Sequence, residues 1–259
     1  MSTLLEVGIA GLAVWNPPQP LRPQPTILPP NERRRAPDTV AVALQVAQAA
    51  CLNAGRDAAQ LPSVFASTYG DLATTDYMCG TLAKAPTTLS PTRFHNSVHN
   101  AAAGYWSIAT GCRRPYCALG AGSYTFAAGL LAAALQVCAE QTDVLYVAYD
   151  IDARGPLGQV ARSHGMLGVA LVLSAVADDG ASGDAVGRRL QLSVIAQPPA
   201  DQLAAAANGP AGPSSAMPGT ANAMAACLPL IAALQGGTQH VLRLPLGPGS
   251  ALQVRVRLQ

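Results

Sequence analysis

The sequence predicts an α/β fold, because segments typical of strands alternate with segments typical of helices along most of the chain. Two further observations concern the core and the surface of this fold. Half of the 259 residues are hydrophobic, which is enough for a large buried core, and only 12% are charged. The surface is therefore short of solubilising charge, and we expect a partner subunit to cover part of it.

The predicted strands are apolar runs of strand length bounded by turn residues. In chain order they are 7–14, 64–67, 116–119, 144–149, 168–175, 191–195 and a hairpin of 240–244 and 251–258. The first ends at Asn16-Pro17-Pro18, and the hairpin turns at Gly247-Pro248-Gly249. The runs at 144–149 and 168–175 are continuous and β-branched, which is typical of strands covered on both faces.

The predicted helices are 38–53, a short one near 76–82, 101–110, 124–139 and 221–234. Asp38 or Thr39 is expected to cap the first helix by accepting from its free N–H groups. The helix at 124–139 contains no charged residue and interleaves alanine and glycine with larger apolar side chains. We expect it to be buried on every face, between a sheet above and a sheet below.

Composition divides the chain into three parts. Residues 1–196 carry most of the alternating strands and helices. Residues 197–220 consist mainly of Pro, Ala, Gly, Ser and Asn, which predicts a flexible linker. Residues 221–259 are predicted to form a C-terminal helix and a β-hairpin.

Charge and cysteine content exclude several classes of function. The 16 basic and 14 acidic residues leave a net charge of +2, so no global field draws the chain to nucleic acid or to an anionic membrane. The six cysteines include no C-x-x-C pair, which favours reduced thiols in a cytoplasmic protein. The N-terminus has no basic region, and the most apolar stretches are shorter than the roughly 20 residues of a membrane span. We expect a cytoplasmic protein that uses no metal and no cofactor.

The sharpest local feature is the turn Gly120-Ala121-Gly122-Ser123, between the strand at 116–119 and the helix at 124–139. A side chain at such an elbow stands near free N–H groups of a helix, which is a common place for a nucleophile. Thr125 occupies the last glycine position of both the G-x-S-x-G hydrolase motif and the G-x-G-x-x-G dinucleotide motif, so neither is met. Ser123 is therefore either a helix cap or a reactive hydroxyl.

Two histidines, His95 and His99, stand four residues apart and would share one helical face as metal ligands. No third ligand lies close to them in the sequence, so bonding to neighbouring asparagines and backbone is the favoured alternative. His164 and Asp150 are predicted to be loop residues rather than a proton relay.

The run Arg33-Arg34-Arg35 is the only dense cluster of charge in the sequence. It predicts either a solvated turn or a docking patch for an acidic partner or a phosphate, because arginine binds such groups bidentately. Tyr105 and Trp106 are predicted to pack in the core, since no wider basic surface accompanies them.

Several motifs follow one another in a fixed order. They are Ser90-Pro91-x-x-Phe94, Asn100-Ala101-Ala102-Ala103-Gly104, Gly111-Cys112-Arg113-Arg114-Pro115, the elbow with its alanine-rich helix, and Asp143-Val144-Leu145-Tyr146-Val147-Ala148. In order and spacing they resemble the N-terminal half of the β-ketoacyl-acyl carrier protein synthases. The turn and strand at 165–173 also look like that family, so the likeness covers about 4–196.

The resemblance implies that the catalytic residues of the family are lost here. The nucleophilic cysteine of ketosynthases falls on Ser123, flanked by Gly122, and neither carries a thiol. Cys117 is expected to be buried in its strand and inert. Two further catalytic histidines belong to the family's C-terminal half, which is nearly all missing here. After Ser174 the only histidine is His240.

The chain most resembles the shortened chain-length-factor proteins of type II polyketide and fatty acid synthases, notably those making aryl polyenes. This resemblance implies a thiolase-like layered sandwich, truncated in its second half. In ketosynthase dimers, the strand before the elbow pairs across the two-fold axis, and the adjacent helix lines the partner's acyl pocket. The corresponding residues here are Tyr116, Cys117, Ala118 and Leu119 on the strand, and His99, Asn100, Tyr105, Trp106 and Ile108 on or beside the helix.

The expected function is that of a non-catalytic subunit, paired with an active ketosynthase, that shapes the end of the acyl tunnel. Tyr105, Trp106 and Ile108 would form the tunnel wall, and Arg33, Arg34 and Arg35 would contact the acidic carrier protein transiently. Two alternatives stay open. One is a serine acyltransferase or hydrolase that uses Ser123 with His99 or His164 as base, and the other is a stand-alone acyl-chain-binding protein.

Overall fold

The computed structural model describes residues 4–16, 22–153, 155–161, 163–176, 187–196, 222–237 and 239–258. Within them the strands are β1 (Leu5–Trp15), β2 (Ser63–Ala66), β3 (Tyr116–Leu119), β4 (Val144–Asp150), β5 (Leu167–Ser174), β6 (Arg188–Ala196), β7 (His240–Gly247) and β8 (Ser250–Leu258). The α-helices are α1 (Pro30–Arg35), α2 (Asp38–Ala54), α3 (Leu72–Lys84), α4 (Pro91–Asn96), α5 (Ala101–Thr110), α6 (Thr125–Glu140) and α7 (Leu228–Gly236). This order confirms the predicted α/β class.

The described strands form one eight-stranded sheet in the order β3-β2-β4-β5-β1-β6-β8-β7. β2 runs parallel to β3 and β4, and the other pairings are antiparallel. β1 joins the two ends of the sheet, because residues 5–8 pair with β6 and residues 8–15 pair with β5. β3 and β7 are therefore the two edge strands.

One core lies between the sheet and helices α6 and α7. α6 contacts β1, β2, β4 and β5, and it also contacts β7 from the far end of the sheet. The sheet therefore curls around α6, as strongly twisted sheets do. A Cβ at Gly129 would lie 2.6 Å from Cε2 of Tyr146, so glycine is what allows α6 to approach β4 this closely.

The prediction that α6 lies between two sheets is corrected by this arrangement. Strands lie on two sides of the helix, but they belong to one curled sheet. The helix is not buried on every face either, since eight of its 16 residues are buried and Leu135 is 49% exposed. The segment 122–140 has the length and hydropathy of a membrane span. Its buried face packs on the sheet, which is typical of a core helix.

A second core lies on the outer face of the sheet, beneath α2 and α5. α2 contacts β1, β4 and β5, whereas α5 contacts β2 and β3. Trp106 of α5 is 1% exposed within this core, as the sequence predicts. Replacing such a residue by alanine leaves a cavity and costs about 3 to 5 kcal/mol of stability.

The predicted cap of α2 is wrong. The helix begins at Asp38 after Pro37 and has no side-chain cap. The Asp38 carboxylate instead accepts from Nε of Arg22 at 2.6 Å, and the Thr39 hydroxyl donates to the carboxylate of Asp71 at 2.9 Å. Both side chains therefore fasten the start of α2 to neighbouring loops.

Two other helices differ from their predicted bounds. α3 is longer than the predicted 76–82, because the Asp71 side chain caps it by accepting from the N–H of Thr74 at 2.7 Å. At the C-terminal end a 3₁₀ turn, Ala225–Cys227, leads into α7, and the predicted first residue, Ala221, lies outside the described residues. The predicted linker 197–220 also lies outside them, so the division into three parts stays a prediction.

Candidate functional site

The elbow between β3 and α6 is fixed by Thr125. Its buried hydroxyl donates to the carbonyl of Gly122 at 2.7 Å and accepts from the N–H of Ala121 at 2.9 Å. Gly122 has a φ of 56°, a conformation that favours glycine. Ser123 lies in the resulting 3₁₀ turn, Gly122–Tyr124, and is exposed. Because α6 has no side-chain cap, the interpretation of Ser123 as a helix cap is wrong.

Within the described part of the chain, no histidine is hydrogen-bonded to Ser123 as a base would be. Nε2 of His99 donates to the carbonyl of Ser67 at 2.9 Å, so this ring nitrogen is already engaged. His164 is exposed, and among the residues that the structure describes its ring forms no hydrogen bond with Ser123. A serine nucleophile needs an adjacent base to lose its proton. The geometry of a serine hydrolase is therefore not assembled here.

His95 and His99 contact different neighbours and do not share a ligand. The His95 ring packs against the ring of Tyr105, with centroids 6.1 Å apart, whereas His99 bonds to Ser67. Among the residues that the structure describes, no group of three or more His, Cys, Asp or Glu side chains could hold a metal ion.

A buried polar network lies at the carboxyl ends of β2 and β4. The carboxylate of Asp150 is 1% exposed and accepts from the Ser67 hydroxyl at 2.8 Å and from the N–H groups of Thr68 and Tyr69 at 2.9 and 3.2 Å. Burial raises the pKa of Asp150, and the hydrogen bonds from Thr68 and Ser67 partly oppose that shift. Asp150 is thus a buried strand residue, and its prediction as a loop residue is wrong.

A cavity of about 670 Å³ lies beside α5, next to α1 and α4. Tyr105 and Ile108 line it, together with Leu28 and other mainly apolar side chains. The Tyr105 hydroxyl donates to the side chain of Asn96 at 3.1 Å, which holds the ring in place. Ile108 is 82% exposed at the cavity, whereas Trp106 points into the core and is not among the lining residues.

The outer side of β3 is accessible. Tyr116 is 43% exposed, and its hydroxyl accepts from the side chain of Asn100 at 3.3 Å. Cys117 is also exposed, so its predicted burial is wrong. The reason is that β3 is an edge strand, with a neighbouring strand on one side only.

The direction of each peptide group in β3 follows from its bonds to β2. The carbonyls of Pro115 and Leu119 accept from N–H groups of Ser63 and Ser67 at 3.1 and 3.2 Å. Successive residues of a strand direct their backbone groups to opposite sides. Tyr116 and Ala118 therefore direct their N–H and C=O groups outward, where another strand would pair.

The sequence matches one family over most of its length. The family described as the β-ketoacyl synthase N-terminal domain matches residues 12–234. The chain belongs to this family. No curated protein matches the sequence.

Solved structures of β-ketoacyl synthases share the fold. A chain of the ketosynthase (ApeO) in complex with its chain length factor (ApeC) from Xenorhabdus doucetiae is 19% identical, with a TM-score of 0.66 and 98% of each chain covered. A chain of the ishigamide ketosynthase/chain length factor is 14% identical, with a TM-score of 0.69 and 98% of this chain and 99% of that chain covered. These similarities confirm the predicted thiolase-like fold.

A third neighbour is a chain of AntDE:AntF, described as a type II PKS acyl-carrier protein in complex with its ketosynthase bound to the hexaketide. It is 10% identical, with a TM-score of 0.75, and 99% of this chain and 100% of that chain are covered. The fold therefore recurs in complexes that contain a ketosynthase, a chain length factor or a carrier protein.

The elbow of this member of the family offers a hydroxyl and no thiol. Cys112 is buried and its Sγ donates to the carbonyl of Leu61 at 3.4 Å, while Cys117 lies on the β3 edge. Ser123 stands exposed without a hydrogen-bonded histidine among the described residues. A serine hydroxyl without an adjacent base is a weak nucleophile.

The arginine run of this chain is only partly available for docking. Arg33 is half-buried and donates to the carbonyl of Leu28 at 3.1 Å, and Arg34 donates to the side chain of Asn31. Arg35 is exposed and lines the apolar cavity. Arg34 and Arg35 are therefore the exposed residues of this run.

Asn222 is a site residue that the sequence did not reveal. Its Nδ2 donates to the carbonyls of Asp150, His164 and Gly165 at 3.2, 3.2 and 3.0 Å. It ties the C-terminal part to the ends of β4 and the loop before β5. The sequence does carry a signal for Asp150, because this carboxylate comes directly after the apolar run 144–149. Asn222 follows a low-complexity segment and carries no such signal.

Proposed function

We propose that this chain is a non-catalytic subunit that pairs with an active β-ketoacyl synthase and shapes the end of its acyl tunnel. The observation that carries the proposal is the elbow. Ser123 stands where the family resemblance implies a cysteine, and neither His99 nor His164 bonds to it within the described residues. In this proposal the chain keeps the fold and leaves acyl transfer to its partner.

Pairing is proposed to occur through β3. Its outward N–H and C=O groups at Tyr116 and Ala118 are positioned to bond to a partner strand. Tyr116 and Cys117 are exposed beside them, and the chain has few surface charges that association would have to desolvate. His99 and Asn100 lie next to this strand and belong to the same proposed interface.

The tunnel wall is proposed to consist of Tyr105 and Ile108. Both line the apolar cavity beside α5, and Ile108 is exposed enough to reach a partner's acyl chain. The third predicted wall residue, Trp106, supports α5 from the core. Replacing Trp106 is therefore expected to lower the stability of the fold and to change the tunnel little.

The tunnel role is tested by the products of the reconstituted pair. Tyr105→Ala and Ile108→Ala remove side chain at the cavity, so we expect a shift to longer acyl or polyene products. Ile108→Trp should shift them to shorter ones. Trp106→Ala is the control, with a loss of about 3 to 5 kcal/mol in stability and no selective change in length. An unchanged product distribution in all three cavity variants, with intact pairing, would refute the tunnel role.

The absence of catalysis is tested with a fluorophosphonate probe. We expect no labelling of Ser123, because no histidine among the described residues is hydrogen-bonded to its hydroxyl as a base. Labelling that disappears in Ser123→Ala would instead favour the serine acyltransferase. A monomer that co-purifies with bound lipid and ignores the ketosynthase would favour a stand-alone acyl-chain-binding protein.

The proposal also covers the cellular location of the pair, its pathway and its carrier protein. We place it in the cytoplasm, in a type II polyketide or fatty acid pathway of the aryl polyene kind, with an acyl carrier protein as a transient partner. The sequence-predicted contact for that carrier is Arg33, Arg34 and Arg35, of which the last two are exposed.

A further inference from the structure

A second basic surface is assembled from three strands. Arg189 of β6, Arg243 of β7, and Arg255 and Arg257 of β8 form what we call the arginine face. In β8 the residues at 254 and 256 are buried in the core, so those at 255 and 257 point to the opposite face of the sheet. Register places Arg189 opposite Arg257, and Arg255 between Gln191 and Val241. All four arginines therefore lie on one face.

The arginine face has little negative charge to balance it. β6, β7 and β8 contain no Asp or Glu. The neighbouring carboxylate is Glu6 of β1, which accepts from Gln191 at 2.9 Å and Arg189 at 3.3 Å. The hydrogen bond from Gln191, with the nearby arginines, lowers the pKa of Glu6, so it stays ionised.

Four arginines on this face have one nearby carboxylate, Glu6, which forms its ion pair with Arg189 and also attracts Arg257. Within the described residues, Arg243, Arg255 and Arg257 form no ion pair, and all three are exposed. Like charges directly opposite each other, such as Arg189 and Arg257, destabilise a sheet. An acidic partner seated on this face would remove that repulsion.

The size of the arginine face fits a helix better than a single anion. Arg243 lies opposite Gln253 of β8, and Arg189 lies opposite Arg257. These two positions of β8 are four residues, or about 13 Å, apart along the strand, and β6 and β7 lie about 10 Å apart across β8. Carboxylates seven residues apart on one helix face span about 10 Å. A cavity of about 610 Å³, lined by Arg189, Arg255 and Arg257, gives the surface a concave centre.

We propose that the arginine face is where the acidic carrier protein docks on this subunit, through an acidic helix. That the partner is a carrier protein rests on the proposed function, whereas the acidic helical chemistry rests on the face itself. Helix α1 is the weaker candidate. It has six residues, includes Glu32 and uses Arg33 and Arg34 in contacts within the chain.

The experiment compares two double variants in the reconstituted pair. Arg255→Glu with Arg257→Glu reverses charge on the arginine face, and Arg34→Glu with Arg35→Glu makes the same charge change on α1. Binding of the apo carrier protein is measured by fluorescence anisotropy at low and at high salt. We expect the first variant to weaken binding about tenfold or more at low salt, with a smaller difference at high salt, and the α1 variant to bind nearly normally.

Each outcome decides between the two surfaces. An equal loss in both variants, or a loss only in the α1 variant, overturns the proposal. Arg255→Gln with Arg257→Gln should give an intermediate loss, which separates charge from any change in folding. Size-exclusion chromatography monitors pairing with the ketosynthase. Failure of the natural chain to pair refutes the proposed function, whereas normal pairing with unchanged carrier binding refutes the arginine face alone.

Discussion

The two edge strands of the sheet differ in what they offer to another chain. β3 contains no charged residue and no proline, and it directs the backbone groups of Tyr116 and Ala118 outward. β7 carries Arg243 and Pro245, and its register with β8 shifts between Pro245 and Gly247. Charge, proline and irregular register are the means by which edge strands avoid pairing. One edge is therefore protected against pairing, and the backbone groups of the other are open to it.

The largest effect on pairing is expected from Ala118→Pro. Proline removes an outward N–H and leaves the bonds to β2 intact, because those bonds use the alternate residues. We expect a loss of about 1 to 3 kcal/mol, or roughly 5- to 150-fold, in affinity for the ketosynthase, because a carbonyl of the partner strand is left unpaired. Size-exclusion chromatography and surface plasmon resonance would measure it.

The matched control lies on the protected edge. Pro245 has no N–H to donate to β8, so odd-numbered positions of β7 before it direct their N–H groups outward. Val241→Pro should therefore leave pairing with the ketosynthase unchanged. An equal loss of affinity in both proline variants would show that the two edges do not differ as described.

A smaller but direct effect is expected at Cys117. This exposed thiol should react quickly with a maleimide in the isolated chain and about tenfold more slowly in the pair, because the partner strand covers it. The measurement uses a Cys79→Ser background, since Cys79 is also exposed. Burial raises the pKa of Cys51 and of Cys227 to about 12, so neither should react. Equal labelling of Cys117 alone and in the pair would place the interface elsewhere.

The smallest effect concerns Asp150, which supports β2 beside the open edge. Its pKa is raised from 3.8 by burial, so the folded chain holds this proton to higher pH than the unfolded chain. The stability from this group is fully present below the unfolded pKa and is lost as pH rises through the folded pKa. The Tm advantage of the natural chain over Asp150→Asn should therefore shrink as the pH rises above the ordinary pKa of 3.8. A Tm difference that does not change with pH in thermal unfolding would contradict this account.

Much of the fold was predictable because it depends on local pattern. The apolar runs that became β4 and β5 are visible in the sequence, and so is the charge-free segment 124–139 that forms nearly all of α6. The elbow was also predictable, since Gly122 marks a turn between a strand and a helix. The bounds of α3 were missed because the capping bond of Asp71 adds a turn that composition does not reveal.

The rest of the site depends on which strands become neighbours. Exposure of Cys117 follows from the edge position of β3, and the arginine face follows from the pairing of β6, β7 and β8. Register between strands far apart in the sequence is set by the assembled sheet, so local pattern does not reveal it. The same holds for Asn222, whose three carbonyl partners come from distant loops.

The central claim is that this chain pairs with a ketosynthase and leaves the chemistry to it. Native mass spectrometry of the co-expressed pair, after incubation with a labelled acyl carrier protein, tests both parts at once. The account predicts a one-to-one complex in which the acyl label is bound covalently to the ketosynthase alone. A covalent acyl group on Ser123 of this chain, or the absence of any complex, would contradict it.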